Sequence, residues 1–279
     1  MKVLIGYDGS PDSECALKEL ESSGLPPETQ AIIFCAAPPW HPDHYALSVT
    51  GLTREATRFA EEALRQAGVH AANAAAHVRV SFPDWKVSSE AVMDSPAHGL
   101  MSKADAWKPD LIVLGCHGRT ALGKLLMGSV SAKLLHYGHS DMRITRFTKK
   151  TASPHRVLLA VDGSPGSDNV VAAVASRAWP LGTRIRVLAA LDGDGISKTL
   201  EGFMSSTYAQ KGRDAKERWL KAKAESAAKR LSSLGWKAEA IFRKGDPRVV
   251  ILTEARKWGA DCIFLGSRGH SAISRFALG

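Results

Sequence analysis

Gly115-Cys116-His117-Gly118, followed after nine residues by Gly128-Ser129, decides how this chain is read. The apolar run Leu111-Ile112-Val113-Leu114 precedes it and a helical stretch follows, so the glycines join a buried strand to a helix start. The spacing begins again 151 positions later at Gly266-Ser267-Arg268-Gly269, followed after nine residues by Gly279. Neighbouring landmarks travel with it. Asp8-Gly9-Ser10-Pro11 returns as Asp162-Gly163-Ser164-Pro165 at an offset of 154, and Pro96 returns as Pro247 at 151. Ordered landmarks with nearly constant offsets mean a duplication with a small net deletion. A length of 279 residues suits two domains, each able to bury a core. The polar, proline-ended stretch Thr148 to Pro154 puts the boundary near residue 150, giving domains 1–150 and 151–279.

Each half alternates strand and helix. In the first, strands are expected at Val3 to Tyr7, Ala31 to Ala36, His77 to Ser81 and Leu111 to Leu114. Helices are expected at Ser13 to Leu20, Thr53 to Ala67, Ala97 to Ala106 and Ser129 to Leu135. Short apolar runs between helical segments argue for parallel strands covered on both faces by crossover helices. The class is an α/β, doubly wound open sheet. Such sheets bind ligands at the carboxyl ends of their strands, where strand order reverses. Asp8 ends the first strand and Gly115 the fourth, so both motifs border one crevice if those strands are neighbours.

Backbone chemistry gives the glycine run its meaning. Gly115 and Gly118 are expected to turn tightly, using the positive φ that glycine takes without steric cost. Gly128-Ser129 then opens a helix whose first amides are unpaired and whose dipole favours an anion. Ser129 is expected as both N-cap and hydroxyl donor, with Ser131 in the same turn. His117, Arg119 and Lys124 add positive charge, and the set suits a polyphosphate. Gly118 to Lys124 also satisfies GxxxxGK, but Leu125 stands where a P-loop needs Ser or Thr for the metal.

With these residues in hand, the chain resembles the universal stress protein family in its tandem two-domain form. Val161-Asp162-Gly163-Ser164 after a strand, Lys244-Gly245-Asp246-Pro247 before a helix, and the Gly-x2-Gly-x9-Gly-Ser run carry the resemblance. It implies two five-stranded parallel sheets of order 3-2-1-4-5, with ATP and Mg²⁺ along the first and fourth strands. By that likeness Asp8 and Ala36 contact the adenosine end. Gly115, His117, Gly118, Arg119, Gly128, Ser129, Val130 and Ser131 line the ribose and phosphates. The matching positions of the second half are Asp162, Ala190, Gly266, Arg268, Gly269 and Gly279. The likeness also implies a regulatory nucleotide-binding role, dimer formation and stress induction, more often than catalysis. Where the family carries a Pro-containing apolar fifth strand, this chain has His139 to Phe147 without proline. Asp94-Ser95-Pro96 likewise replaces the Gly-Asp-Pro of the second half.

Other features receive plainer readings. Asp8 and Asp162 have an alternative role as turn caps. The net charge of +9 lies largely on amphipathic helical stretches such as Lys211 to Arg230, read as a solvated face. No aromatic-interleaved basic motif points to nucleic acid. His41 with His44 and His136 with His139 lack a third metal ligand. Cys15, Cys35, Cys116 and Cys262 form no paired motif and read as free thiols of a reducing cytoplasm. Cys116 alone, inside the loop, has a second reading as a redox-active thiol of lowered pKa. Met1 to Gly6 runs straight into a strand, leaving no place for a signal peptide, and no apolar stretch suits a membrane span. The second copy reaches only Gly279, so its last helix and strand are expected to be missing, leaving an edge for self-association. An unidentified protein partner completes the regulatory reading. An ATP-hydrolysing or nucleotidyl-transfer enzyme of the same class is the alternative, and a binding protein without nucleotide is a third.

Overall fold

A computed structural model describes residues 1–39, 52–116, 128–137, 140–146, 155–192 and 206–266. The chain divides into two compact units, with the change at Lys150 and Thr151.

The first unit holds β1 (Lys2–Gly6), α1 (Pro11–Lys18), β2 (Gln30–Ala37), α2 (Leu52–Ser81), β3 (Lys86–Met93), α3 (Pro96–Trp107), β4 (Leu111–Gly115), α4 (Ser129–Tyr137) and β5 (Asp141–Thr145). Its strands form one parallel sheet of order β3-β2-β1-β4-β5. The period-2 alternation of each strand splits the core in two. Val3, Ile5, Ile33 and Val113 pack with the α1 and α2 side chains Leu17, Ala71, Ala75 and Val78. Leu4, Phe34, Ile112 and Leu114 pack on the other face with Leu100 and Leu134 of α3 and α4. Both faces are thus covered, as a parallel sheet requires.

One expected strand is corrected. His77 to Ser81 is the last part of α2, which runs 30 residues. His-Val-Arg-Val-Ser alternates like a strand, but Ala71, Ala74, Ala75 and Val78 continue the helical i, i+3, i+4, i+7 burial. The third strand is instead Lys86–Met93, whose Gln30↔Lys86 to Ala37↔Met93 register with β2 is unbroken. His139 to Phe147 contains β5, in parallel register with β4 from Leu111↔Asp141 to Gly115↔Thr145.

The second unit repeats the plan with β6 (Arg156–Val161), α5 (Pro165–Ala175), β7 (Arg184–Leu191), α6 (Ser206–Ser233), β8 (Lys237–Lys244), α7 (Pro247–Trp258) and β9 (Cys262–Phe264). Among the described residues its sheet has four strands in the order β8-β7-β6-β9. α5 and α6 cover one face through Val174, Leu220, Ala224 and Leu231, and α7 covers the other through Ile251 and Ala255. No helix among the described residues is long and apolar enough to cross a membrane.

Candidate functional site

β1 lies between β2 and β4, with β3 outside β2 and β5 outside β4. Strand order therefore reverses between β1 and β4, whose register runs Val3↔Leu111, Leu4↔Ile112, Ile5↔Val113. The Asp8 turn and Gly115 therefore lie at the carboxyl ends of neighbouring strands.

The Asp8 turn is built from its own side chains. Gly9 takes φ 72°, and the Ser10 amide donates to Asp8 Oδ1 at 3.0 Å. The Ser10 hydroxyl oxygen then caps α1, accepting from the Ser13 amide at 3.2 Å. One oxygen of Asp8 is thus committed to holding the loop.

Beside it, three hydrogen bonds tie down the end of β4 and a fourth opens α4. The Cys116 amide donates to Thr145 O at 2.7 Å, and the Gly128 amide donates to Cys116 O at 2.6 Å. That second bond holds the start of α4 against the end of β4. The Ala132 amide donates to Gly128 O at 3.0 Å, and the Ser131 hydroxyl donates to Gly115 O at 3.2 Å. Gly128 is therefore the capping position, one place earlier than expected, and Ser129 the first helical residue. Ser129 is exposed, Val130 packs into the core, and Ser131 is 2% exposed with its proton spent on Gly115. The first-turn amides of α4 have no acceptor within the helix and sit beside the β4 terminus.

Gly115 needs its hydrogen for a different reason from the one the spacing suggested. It does not take a left-handed φ. A Cβ there would meet the backbone of Asp12 and Ser13 at 2.7 Å. The glycine lets α1 start directly against β4. Ala36 lies at the carboxyl end of β2, opposite Val92. His117, Gly118 and Arg119 lie outside the described residues.

Asp12, Thr145 and Trp219 were not singled out from the sequence. Cys116 is 3% exposed, and its thiol donates to Asp12 Oδ2 at 3.2 Å. Burial first, then the neighbouring carboxylate, pushes that thiol up to about 12. The second reading of Cys116, as a thiol of lowered pKa, is not supported: Arg146 lowers the value, but burial and Asp12 outweigh it. Thr145 Oγ1, at the end of β5, is buried without a hydrogen-bond partner among the described residues. Asp12, in the first turn after Pro11, looks in sequence like an ordinary helix-start acid. Only the β1–β4 pairing brings it to Cys116.

In the second unit, Asp162 Oδ1 accepts from the Ser164 amide at 3.0 Å and from the Ser167 hydroxyl at 2.6 Å. Gly163 takes φ 76°, and a Cβ there would fall 2.2 Å from the Trp219 ring of α6. Gly266 repeats the Gly115 packing more loosely, a Cβ lying 3.1 Å from the Gly166 carbonyl carbon. Ala190 sits in β7 opposite Arg243. Arg268, Gly269 and Gly279 lie outside the described residues. No cluster of three potential metal ligands occurs among the described residues.

The sequence model of the universal stress protein family matches residues 1–146 and again 154–279. A universal stress protein of Mycolicibacterium smegmatis is 27% identical over 172 residues, which are 60% of this chain and 55% of that one. A universal stress protein of Mycobacterium tuberculosis is 31% identical over 144 residues, 52% of this chain and 45% of that one. The chain thus spans about half the length of the curated relatives it matches. The crystal structure of a universal stress protein from Archaeoglobus fulgidus aligns over 100% of this chain and 89% of its own, at 20% identity and a TM-score of 0.60. That likeness is one of fold. Two successive matches that together span nearly the whole length place this chain in the universal stress protein family, as a tandem pair of its domains.

Proposed function

We propose that the first domain binds ATP with Mg²⁺ in the crevice between β1 and β4 and acts as a stress-response regulator, not as a catalyst. The observation that carries this is that the Asp8 turn and the start of α4 both stand at the switch point between β1 and β4. The Asp8 turn stands on one side. On the other, the bond from Gly128 to Cys116 holds the open end of α4. A helix start of this kind holds phosphate oxygens through backbone amides and its dipole. The Mg²⁺ then takes most of its ligands from phosphate oxygens and water, as that ion commonly does. The adenosine end reaches toward Asp8 and Ala36. In the second domain, Asp162, Ala190 and Gly266 occupy the matching places.

Hydrolysis needs more than a cradle: an oriented water and charge placed for the transition state. The regulatory reading has nucleotide occupancy alter how the two domains pair and which protein docks in a cytoplasmic setting. The enzyme alternative is separated by phosphate release, where sustained turnover above about one per minute puts catalysis ahead. Calorimetric titration of ATP and Mg²⁺ into the full chain tests the site itself. Gly118→Val, at a glycine that the family resemblance sets against the phosphates, is expected to remove binding. Ser129→Ala is expected to cost about 1 kcal/mol, the value of one hydrogen bond. Unchanged affinity in Gly118→Val overturns the assignment.

A further inference from the structure

The positive charge of this chain is not shared between its domains. Residues 1–150 carry 16 Lys and Arg against 16 Asp and Glu, while residues 151–279 carry 21 against 12. The whole excess of +9 therefore belongs to the second domain. Much of it is on one helix. α6 has eight Lys and Arg against three acids, whereas α2, which fills the same place in the first domain, has four against three.

Winding the sequence into a helix sorts these charges. Lys211, Arg218 and Lys229 fall within about 20° of one line along α6, and that line spans roughly 27 Å at 1.5 Å per residue. Arg230, Lys223 and Trp219 flank it on one side. Lys211, Arg218, Lys229 and Arg230 are all exposed. Two of the three acids of the helix are engaged elsewhere, and the third, Glu225, is exposed one turn before Lys229, so the face keeps a net positive charge. Glu217 pairs with Lys221 and with Lys244 at 2.8 and 2.7 Å, and Asp214 accepts from Gln210. Trp219 is 41% exposed, stands on Gly163, and has Lys223 Nζ 5.8 Å from its ring centre. A basic face interrupted by an aromatic ring is visible only once the helix is wound.

We propose that this outward face of α6 docks single-stranded nucleic acid, with the cations on successive phosphates and one base against Trp219. Cation-lined surfaces with a stacking ring hold single strands without needing a particular sequence. Protein–nucleic acid interfaces are polar and strongly positive, whereas a protein partner needs an apolar centre. Trp219 is the one exposed large apolar side chain of α6 among the described residues. A bilayer is a poorer fit still. The apolar stripe of the helix, Leu220, Ala224, Ala228 and Leu231, is buried against its own sheet and unavailable for insertion. An intact duplex keeps its bases stacked and offers no ring for Trp219.

The test is fluorescence anisotropy of a labelled single strand of about 20 nucleotides, titrated with the full chain in the absence of ATP. Binding is expected to weaken with salt at a slope of about −0.7 per phosphate contacted, so that three or four contacts make a threefold rise in salt cost about ten- to twentyfold. Lys229→Glu with Arg230→Glu is expected to abolish binding, and Trp219→Ala to weaken it roughly tenfold. Trp219→Phe, which keeps a ring on Gly163, is expected to retain most of the affinity. Arg58→Glu, on the exposed face of α2, should change nothing. The proposal is overturned if the strand fails to bind, if duplex DNA or polyglutamate binds as tightly, or if Arg58→Glu is as damaging as the α6 changes.

Discussion

Ile32 of β2 and Arg186 of β7 each stand third in their strands, and they bury opposite chemistry against equivalent helices. Ile32 joins Leu100, Ala104 and Trp107 in an ordinary apolar core under α3. Arg186 lies under α7, its guanidinium 4.4 Å from the Trp258 ring centre, donating to Glu239 and, at 2.9 Å, to Glu254. Glu254 is 6% exposed and also meets Arg243 at 3.3 Å. The first domain keeps its comparable ion pair, Lys103 with Glu90, at the more exposed rim. One backbone plan therefore closes with apolar packing in one copy and with a buried charge network in the other. The duplicated landmarks specify strand order, and they leave each core free to choose its own means of closure.

The comparison breaks most directly at Glu254. Glu254→Ala leaves Arg186 without its buried partner and is expected to cost about 3 kcal/mol, the scale of breaking a buried pair. Arg186→Ile together with Glu254→Leu, which writes the first domain's solution into the second, should recover most of that loss. Urea unfolding of the full chain, with hydrogen exchange assigning the change to the second domain, measures both. A loss under about 1 kcal/mol for Glu254→Ala would mean that water screens the network like a surface pair, and the contrast with Ile32 would be empty.

Duplication and switch-point geometry were legible because glycines, prolines and Asp-Gly-Ser turns carry backbone information in one dimension. Gly115, Gly128 and Asp8 were read from that signal, and the strand order that makes β1 and β4 neighbours from the family resemblance. The His77 to Ser81 misreading shows where it stops. Five residues of alternation cannot outweigh a helix whose buried positions are alanines, because alanine marks a core face only weakly in sequence. Nor does sequence reveal what a glycine avoids. Gly115 read as a turn former, yet its hydrogen is required by the start of α1, a contact between segments about 100 residues apart. The surroundings of Cys116 are hidden for the same reason: its partner Asp12 is visible only after the strands pair.

Gly115 and Gly266 sharpen the comparison at the next scale. A Cβ on Gly115 meets the Asp12 carbonyl carbon and the Ser13 amide at 2.7 Å, both backbone atoms that cannot rotate away. At Gly266 the nearest atoms, of Gly166, lie at 3.1 and 3.2 Å and need yield only a few tenths of an ångström. Gly115→Ala is expected to cost about 2–3 kcal/mol as overpacking, and Gly266→Ala about 1 kcal/mol or less. Thermal unfolding monitored by near-ultraviolet dichroism, again with hydrogen exchange to locate the loss, distinguishes them. Equal costs would show that the two helix starts are seated alike, despite Asp12 in one and Gly166 in the other.

The smallest expected difference lies at the starts of α3 and α7. Ser95 caps α3 without a side-chain hydrogen bond, while Asp246 Oδ1 accepts from the Arg248 amide at 2.8 Å. The Arg248 guanidinium also meets Asp246 Oδ2 at 2.6 Å, and this bond, followed by the backbone amide, holds the carboxyl down from the usual 3.8 to about 2. A folded value below the unfolded one means that the carboxylate stabilises fully above about pH 5 and loses its contribution as pH falls toward 2. The group is about a third exposed, so solvent screening keeps the gain small. Asp246→Ala is expected to cost about 0.5–1 kcal/mol at pH 7, the range for a lost N-cap, while Ser95→Ala should be silent. Asp246→Asn retains a capping oxygen without a titrating charge, so its deficit at pH 7 should be smaller than that of alanine and should shrink further in acid. Denaturation midpoints of the three variants, followed from pH 7 to pH 2, provide the measurement. A gap between wild type and Asp246→Asn that stays constant over that range would show that the charge at position 246 contributes nothing and that capping geometry alone separates the two helix starts.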